Sequence, residues 1–199
     1  LVMQYPEYQL FEDTVFKDIA YGPKNMGLED NEIKRRVMLA ADFVGLELSM
    51  LDKSPFDLSG GQKRRAAIAG VMAMSPEVLV LDEPAAGLDP AGRNAIFDGI
   101  RRYARENKAS VIIVSHSMED MAKYCDEIIV MNEGELAMQG SKDEIFSRGE
   151  ELKCMGLNIP QITELMLELE ALGINLGRNI YTVEAAESAL FKLFGGDAK

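Results

Sequence analysis

The fold is decided by a stretch that reads Val78-Leu79-Val80-Leu81-Asp82-Glu83-Pro84. Its first four residues form a continuous apolar run, as expected of a parallel strand that is buried on both faces. The run ends in two adjacent carboxylates, and ligands of open α/β sheets bind beyond the carboxyl ends of the strands. Because side chains alternate along a strand, Asp82 and Glu83 suit two separate tasks, one on a metal and one on a water molecule. A lone pair of this kind is more often a solvated strand end, so the surrounding sequence has to decide.

Helices and strands alternate after this stretch. Pro90 suits the first position of a helix, and Asn132-Glu133-Gly134-Glu135 is typical of the tight turn of a β-hairpin. The alternation predicts an α/β fold with a mostly parallel sheet. The predicted elements are a helix over residues 90–106, a second buried strand over 111–114, a short helix over 117–124, a third strand over 128–131 and its hairpin return over 136–139.

The flanking regions are predicted to be helical. Upstream, an acidic start at residues 29–32 precedes a helix that Gly45 can close, and residues 60–74 form another helix. Downstream, two amphipathic helices form a small appendage, the second over residues 182–194. The first carries an apolar stripe that either packs against its own domain or holds two subunits together: Ile162, Leu165, Met166, Leu169 and Leu172.

These elements predict two domains. The main domain spans residues 1–149 and contains a helical subdomain at about 5–75, while the C-terminal appendage, a possible dimerisation region, spans 150–199. The chain opens with Leu1-Val2-Met3, which reads like the end of a strand running into a loop, so we expect the natural N-terminus to lie upstream.

Composition excludes several classes of protein. The 199 residues are 47% hydrophobic and 27% charged, which is ordinary for a globular chain and not for a disordered one. The net charge of −12 argues against a nucleic-acid binder, which needs a basic surface. Two cysteines are too few for a disulfide framework, which favours a reducing compartment. The apolar runs are far shorter than the roughly 20 residues of a membrane-spanning helix.

A glycine-rich segment, Leu58-Ser59-Gly60-Gly61-Gln62, stands directly before the helix predicted at residue 60. Glycines allow close approach of a ligand, and a helix N-terminus attracts anions. Ser59 either contacts such a ligand or is the N-cap of the helix. The basic run Lys63-Arg64-Arg65 that follows is interpreted as a solvated face.

Three further polar residues are candidates for the same site. Asp89 precedes Pro90 and is well placed as an N-cap. His116, the only histidine, follows the second strand directly and should lie at the same sheet edge as Asp82 and Glu83. Gln4 follows an apolar stub and suits that edge as well.

The order of these segments along the chain is more informative than any one of them. It resembles the ATP-binding-cassette (ABC) ATPases, in which the corresponding segments are the Q-loop, signature motif, Walker B strand with its glutamate, D-loop and H-loop. The resemblance implies a P-loop NTPase-like fold with a helical subdomain. The matching residues are Gln4, Leu58-Ser59-Gly60-Gly61-Gln62, Leu81-Asp82-Glu83-Pro84, Gly87-Leu88-Asp89 and His116.

Longer segments are similar to one subgroup, the ATPases of energy-coupling-factor importers, which take up vitamins and metal ions such as cobalt or nickel. These segments are Gln4-Tyr5-Pro6-Glu7-Tyr8-Gln9-Leu10-Phe11, Val15-Phe16-Lys17-Asp18-Ile19-Ala20-Tyr21-Gly22-Pro23 and Leu157-Asn158-Ile159-Pro160-Gln161-Ile162-Thr163-Glu164-Leu165.

The resemblance implies ATP and Mg²⁺ as cofactors and a role for each residue. Asp82 holds Mg²⁺ through water, Glu83 polarises the attacking water as general base, and His116 contacts the γ-phosphate. Gln4 reaches Mg²⁺ or the water and senses the membrane partner. Asp89 links the two ATP sites of a head-to-tail dimer. The signature residues Ser59, Gly60, Gly61 and Gln62 bind the ATP of the opposite subunit.

The implied partners are a second ABC ATPase subunit, a transmembrane coupling subunit and a separate substrate-binding membrane protein, with no nucleic acid. The implied location is the cytoplasmic face of the membrane, as a peripheral subunit. The family's Walker A loop is missing and belongs before Leu1, so residues 1–199 alone are expected to be inactive. The alternatives are a conventional ABC importer ATPase, a soluble ABC ATPase and a non-hydrolysing partner that donates its signature motif.

Overall fold

The computed structural model describes residues 1–174, 176 and 180–195. The chain divides into two compact units, Leu1–Val114 and Ser115–Lys199. No helix among the described residues is long and apolar enough to cross a membrane. The predicted domain boundary near residue 149 stays a prediction.

The first unit contains four α-helices, two β-strands and three short 3₁₀ turns among its residues. Each element predicted for this part of the sequence is present, with ends shifted by one or two residues. The elements are the 3₁₀ turn Pro6–Gln9, α1 Val15–Asn25, α2 Asp30–Phe43, the 3₁₀ turns Leu48–Met50 and Pro55–Asp57, α3 Gly60–Met72, β1 Val78–Asp82, α4 Pro90–Asn107 and β2 Ser110–Val114.

The strands of this unit are parallel, as predicted. β1 pairs with β2 in a register that places Asp82 opposite Val114. On the other edge of β1, Val2 forms an isolated parallel bridge with Leu81. The Val2 N–H donates to the Val80 carbonyl at 2.8 Å, and the Asp82 N–H donates to the Val2 carbonyl at 2.9 Å. The loop that begins with Gln4 therefore leaves the sheet at the edge where β1 ends.

Within residues 1–199 the two strands are not buried on both faces, in contrast to the prediction. Leu79 and Leu81 of β1 are fully buried, but Val78 is 52% exposed. In β2, Ile112 and Val114 are 52% and 53% exposed. Because side chains alternate along a strand, the buried Leu79 and Leu81 lie on one face of the sheet and the exposed residues lie on the other. An apolar run alone does not reveal which face is covered.

The second unit begins with a helix and a β-hairpin. β3 and β4 pair as a separate antiparallel sheet, with Asn132 opposite Glu135. The two turn residues Glu133 and Gly134 have φ of +51° and +82°, the conformation of a type I′ hairpin turn. The predicted hairpin is confirmed. The elements are α5 Met118–Tyr124, β3 Glu127–Asn132, β4 Glu135–Ser141, α6 Lys142–Phe146, α7 Gly149–Cys154, α8 Gln161–Ala171 and α9 Val183–Leu193.

The C-terminal helices α8 and α9 share a small apolar core that contains Met166, Ile180 and Ala186. The predicted stripe on α8 does not act as one surface. Ile162 and Leu169 pack against this core, whereas Leu165 and Leu172 are 46% and 78% exposed. The stripe therefore supplies both a core face and an exposed edge.

Candidate functional site

The two carboxylates at the end of β1 lie on a constrained turn. Asp82 is the last residue of β1, and Glu83 follows it with φ of +48°, a left-handed conformation that is uncommon outside glycine. The Glu83 N–H donates to the Val114 carbonyl of β2 at 2.9 Å, and the Glu83 carbonyl accepts the Ala86 N–H at 3.2 Å. Both carboxylate side chains are half-buried. The turn fixes the backbone of Glu83 on both sides of its Cα atom.

The loop that carries Gln4 is held at both of its ends. Its start follows the Val2 bridge to β1. At its far end, the Asp18 carboxylate of α1 accepts the backbone N–H groups of Phe11 and Glu12 at 3.1 and 3.3 Å. Burial of this carboxylate raises the pKa of Asp18. The Gln4 side chain itself is exposed and free to meet a ligand.

The glycine-rich segment forms the N-terminus of α3. Ser59 is the N-cap, because its Oγ accepts the Gln62 N–H at 3.3 Å while its own N–H donates to Gln62 Oε1 at 2.9 Å. A Cβ atom at Gly60 would meet no atom within 4 Å, whereas one at Gly61 would lie 3.1 Å from Leu88 Cδ2. Packing among the described residues therefore does not require a glycine at position 60. The missing side chain instead leaves the helix end open to a ligand.

Asp89 caps the next helix, as predicted. Its Oδ1 accepts the Gly92 N–H at 3.2 Å, and Pro90 occupies the first turn of α4. A Cβ atom at Gly92 would lie only 2.6 Å from Asp89 Oδ1. The capped turn fixes the Gly87-Leu88-Asp89 segment beside the start of α3, where Leu88 approaches Gly61.

Arg64 is the residue that sequence reasoning missed. The basic run was expected to be a solvated face, but Arg64 is only 4% exposed. Its guanidinium donates to the Gln4 carbonyl at 2.8 Å, to the Glu83 carbonyl at 3.2 Å and to the Glu7 carboxylate at 3.3 Å. The signal was present, because Arg64 stands four and eight residues before the buried Ile68 and Met72, on the inward face of α3.

His116 belongs to the second unit. It stands two residues after the end of β2, directly before Ser117, the N-cap of α5, and its side chain is exposed. Its expected contact with the γ-phosphate stays a prediction.

The metal-binding capacity of the site rests on few protein atoms. No group of three or more His, Cys, Asp or Glu side chains among the described residues could hold an ion. Mg²⁺ is bound by one or two carboxylates together with phosphates and water, not by an all-protein cage. The half-buried Asp82 carboxylate and the exposed Gln4 amide each offer an oxygen ligand at the same edge of the sheet. Together with phosphate and water oxygens, they fit a Mg²⁺ site of this kind.

Comparisons with known proteins agree with the predicted family. The sequence profile of the ABC transporter family matches residues 3–86. The energy-coupling factor transporter ATP-binding protein EcfA2 of Clostridium perfringens is 53% identical over 97% of this chain and 68% of its own length. The EcfA2 of Clostridium tetani is 51% identical over 100% of this chain and 69% of its own length.

A solved structure supports the same fold. It is cbiO1 from Clostridium perfringens, part of the ABC transporter complex cbiONQ. The two chains superpose with a TM-score of 0.68 at 41% identity, over 83% of this chain and 66% of that one. The chain thus spans about two thirds of the length of the proteins it matches. By its sequence and by its fold, the chain belongs to the ABC transporter ATP-binding proteins, among the relatives that serve energy-coupling factor transporters.

Proposed function

We propose that this chain is part of an ATP-hydrolysing subunit of an energy-coupling factor importer, which couples ATP hydrolysis to the uptake of a vitamin or metal ion. The observation that carries the proposal is the convergence at the end of β1. There the Gln4 loop, the Asp82-Glu83 turn and the helix behind the signature meet on a single buried arginine. The identity to EcfA2 proteins over nearly the whole chain favours this importer class over the other ABC ATPases.

Each residue at this edge has a task in phosphoryl transfer, which depends on positioning and charge neutralisation. Glu83 orients the attacking water and accepts its proton. Asp82 and Gln4 hold Mg²⁺, which neutralises charge on the phosphate oxygens when it is bound. His116 contacts the γ-phosphate and helps to orient the water.

The signature acts on the ATP of a second subunit. Ser59, Gly60, Gly61 and Gln62 present the N-terminus of α3, whose dipole favours the γ-phosphate. The open space at Gly60 supports the approach of a ligand from outside the chain. Asp89 lies on the capped turn beside this helix end and links the two sites.

The remaining partners are membrane proteins. A transmembrane coupling subunit docks on the helical region at about residues 5–75, which exposes the aromatic side chains of Tyr8, Phe11 and Phe56. The substrate is bound by a separate membrane protein. The subunit then lies peripherally on the cytoplasmic face of the membrane.

The variant Glu83→Gln tests the catalytic assignment in the full-length protein. Loss of a general base lowers turnover by about 10²–10⁴-fold, and ATP binding should persist because the amide keeps the size of the side chain. Glu77→Gln is the matched control, since Glu77 precedes the same strand at its other end and is exposed. Steady-state hydrolysis and equilibrium ATP binding are measured for both. Wild-type turnover by Glu83→Gln would exclude Glu83 as the base.

Substitutions at the exposed edge of α8 test the proposal that the C-terminal appendage holds two subunits together. Leu165→Asp combined with Leu172→Asp should abolish dimerisation without nucleotide and leave the fold intact, because both side chains are exposed. Leu167→Asp is the control, since Leu167 is also exposed but lies on the opposite side of the helix. Sedimentation of the full-length proteins measures the dimer. A dimer that survives the double substitution would assign the edge no role in association.

A further inference from the structure

The guanidinium of Arg64 has a hydrogen-bond acceptor for each of its five N–H groups. Nε donates to Glu7 Oε2 at 3.3 Å, and Nη2 donates to the Gln4 carbonyl at 2.8 Å and to Glu7 Oε1 at 3.4 Å. Nη1 donates to the Glu83 carbonyl at 3.2 Å and to the Ala86 carbonyl. The five donors of an arginine have a fixed planar geometry, so their acceptors are held in one fixed arrangement.

These acceptors lie on two segments that are far apart in the sequence. Gln4 and Glu7 belong to the loop that leaves the sheet, 60 and 57 residues before Arg64. Glu83 and Ala86 belong to the turn after β1, 19 and 22 residues after it. The arginine itself lies on α3, two residues after Gln62, the last residue of the signature. One buried side chain thus joins the Gln4 loop, the turn after β1 and the helix α3. The proposed function assigns a contact with ATP, Mg²⁺ or the attacking water to each of these segments.

We propose that Arg64 is a positioning residue that sets the orientation of Glu83 and links it to the Gln4 loop. This inference rests on the proposed function of Glu83. Glu83 has a left-handed backbone, which is unfavourable for a side chain with a Cβ atom and persists where neighbouring groups hold it. Arg64 Nη1 and the Ala86 N–H both donate to its carbonyl, and its own N–H donates to the Val114 carbonyl. A displacement of the Gln4 loop therefore reaches the catalytic turn through Arg64.

A lysine cannot replace Arg64 in this role. Its ammonium carries three donors around one nitrogen and cannot reach acceptors that are spread around the edge of a planar group. Arg64→Lys keeps the positive charge beside Glu7 and removes the fixed link between the two carbonyls. The adjacent Arg65 provides a matched control, because it donates to the Gly45 carbonyl at 3.1 Å and has no bond to Gln4 or Glu83 in the described structure.

The experiment measures kcat and KM for ATP in the full-length Arg64→Lys and Arg65→Lys proteins, well below their thermal midpoints. A misplacement of about 1 Å in a catalytic group costs about 10²-fold, so kcat of Arg64→Lys should fall by about that factor while KM stays close to wild type. Arg65→Lys should keep its kcat. A wild-type kcat in Arg64→Lys, or an equal loss in both variants, would overturn the inference.

A double substitution separates positioning of Glu83 from a general structural effect. In the Glu83→Gln background, adding Arg64→Lys should cause no further loss in single-turnover hydrolysis, because both changes act on one group. A second loss of the same factor would contradict positioning through Glu83. If Glu83→Gln itself hydrolyses ATP normally, the proposed function fails, irrespective of what Arg64 does.

A milder variant covers the possibility that Arg64→Lys does not fold. Glu7→Gln leaves the bonds from Arg64 to the carbonyls of Gln4, Glu83 and Ala86, and removes the carboxylate that orients the guanidinium. Its kcat should fall by less than that of a folded Arg64→Lys protein, at about 10-fold, with KM unchanged. Wild-type kcat in Glu7→Gln would count against the inference as well.

Discussion

The start of α3 and the start of α6 have the same capping geometry but different surroundings. At α3, Ser59 Oγ accepts the Gln62 N–H at 3.3 Å, and the Ser59 N–H donates to Gln62 Oε1 at 2.9 Å. At α6, Ser141 Oγ accepts the Glu144 N–H at 3.3 Å, and the Ser141 N–H donates to Glu144 Oε2 at 2.8 Å. A reciprocal box of this kind is a common way to begin a helix and by itself indicates no ligand.

The two helix starts differ in charge and in bulk. The box of α6 ends in an anion, and the N–H and hydroxyl groups of Ser141 hold the pKa of Glu144 below its usual value. That carboxylate already lies at the positive end of the helix dipole. The box of α3 ends in the neutral Gln62, and Gly60 leaves open space beside it. A neutral cap followed by glycine thus leaves a helix end available to a phosphate, whereas a charged cap occupies it.

Converting the first box into the second should have the largest effect. Gln62→Glu places a carboxylate where the proposed γ-phosphate binds, and two like charges about 4 Å apart near a protein surface repel by about 4 kcal/mol before salt screening. We expect kcat/KM for ATP in the full-length protein to fall by about 10²-fold, with the fold retained. The reverse change, Glu144→Gln, should leave hydrolysis unchanged. Equal activities in the two variants would remove the distinction between the boxes.

Removing the serine from each box should have an intermediate effect. Ser59→Ala and Ser141→Ala each remove an N-cap, which costs about 1 kcal/mol of stability. Chemical denaturation should show similar losses for the two. Only Ser59→Ala should also lower ATP hydrolysis, because only that hydroxyl is proposed to meet a nucleotide. A loss of hydrolysis in Ser141→Ala would show that capping alone accounts for the effect.

The smallest effect concerns pH. Because the pKa of Glu144 is lowered in the folded state from 4.5, its contribution to stability is present above about pH 4.5 and is lost as pH falls through the lowered value. The thermal midpoint of wild type should exceed that of Glu144→Gln at pH 7, and the difference should shrink as the pH falls below 4.5 and through the lowered pKa of Glu144. The neutral box at α3 should show no such dependence in Gln62→Ala. A difference that does not change as the pH falls below 4.5 would mean that the charge of Glu144 does not contribute.

Much of the site was predictable because its features are local. The N-caps Ser59 and Asp89 bond to residues three positions ahead, and the Glu133-Gly134 turn is determined by two residues. The carboxyl edge of β1 was also predictable, since an apolar run followed by carboxylates marks the end of a strand. The burial of Arg64 was not predicted, because a run of three basic residues has the same appearance whether or not one of them turns inward.

The sequence by itself determined the family, the order of the helices and strands, and the residues placed at the end of β1. These follow from short-range patterns and from motifs whose order along the chain is preserved. Only the tertiary structure decided which faces of β1 and β2 are covered, how the α8 stripe divides, and where Arg64 donates its hydrogen bonds. Its acceptors lie 19 to 60 residues away. Packing brings such groups together because a buried guanidinium is stable only when its donors are satisfied, and no local pattern encodes that requirement.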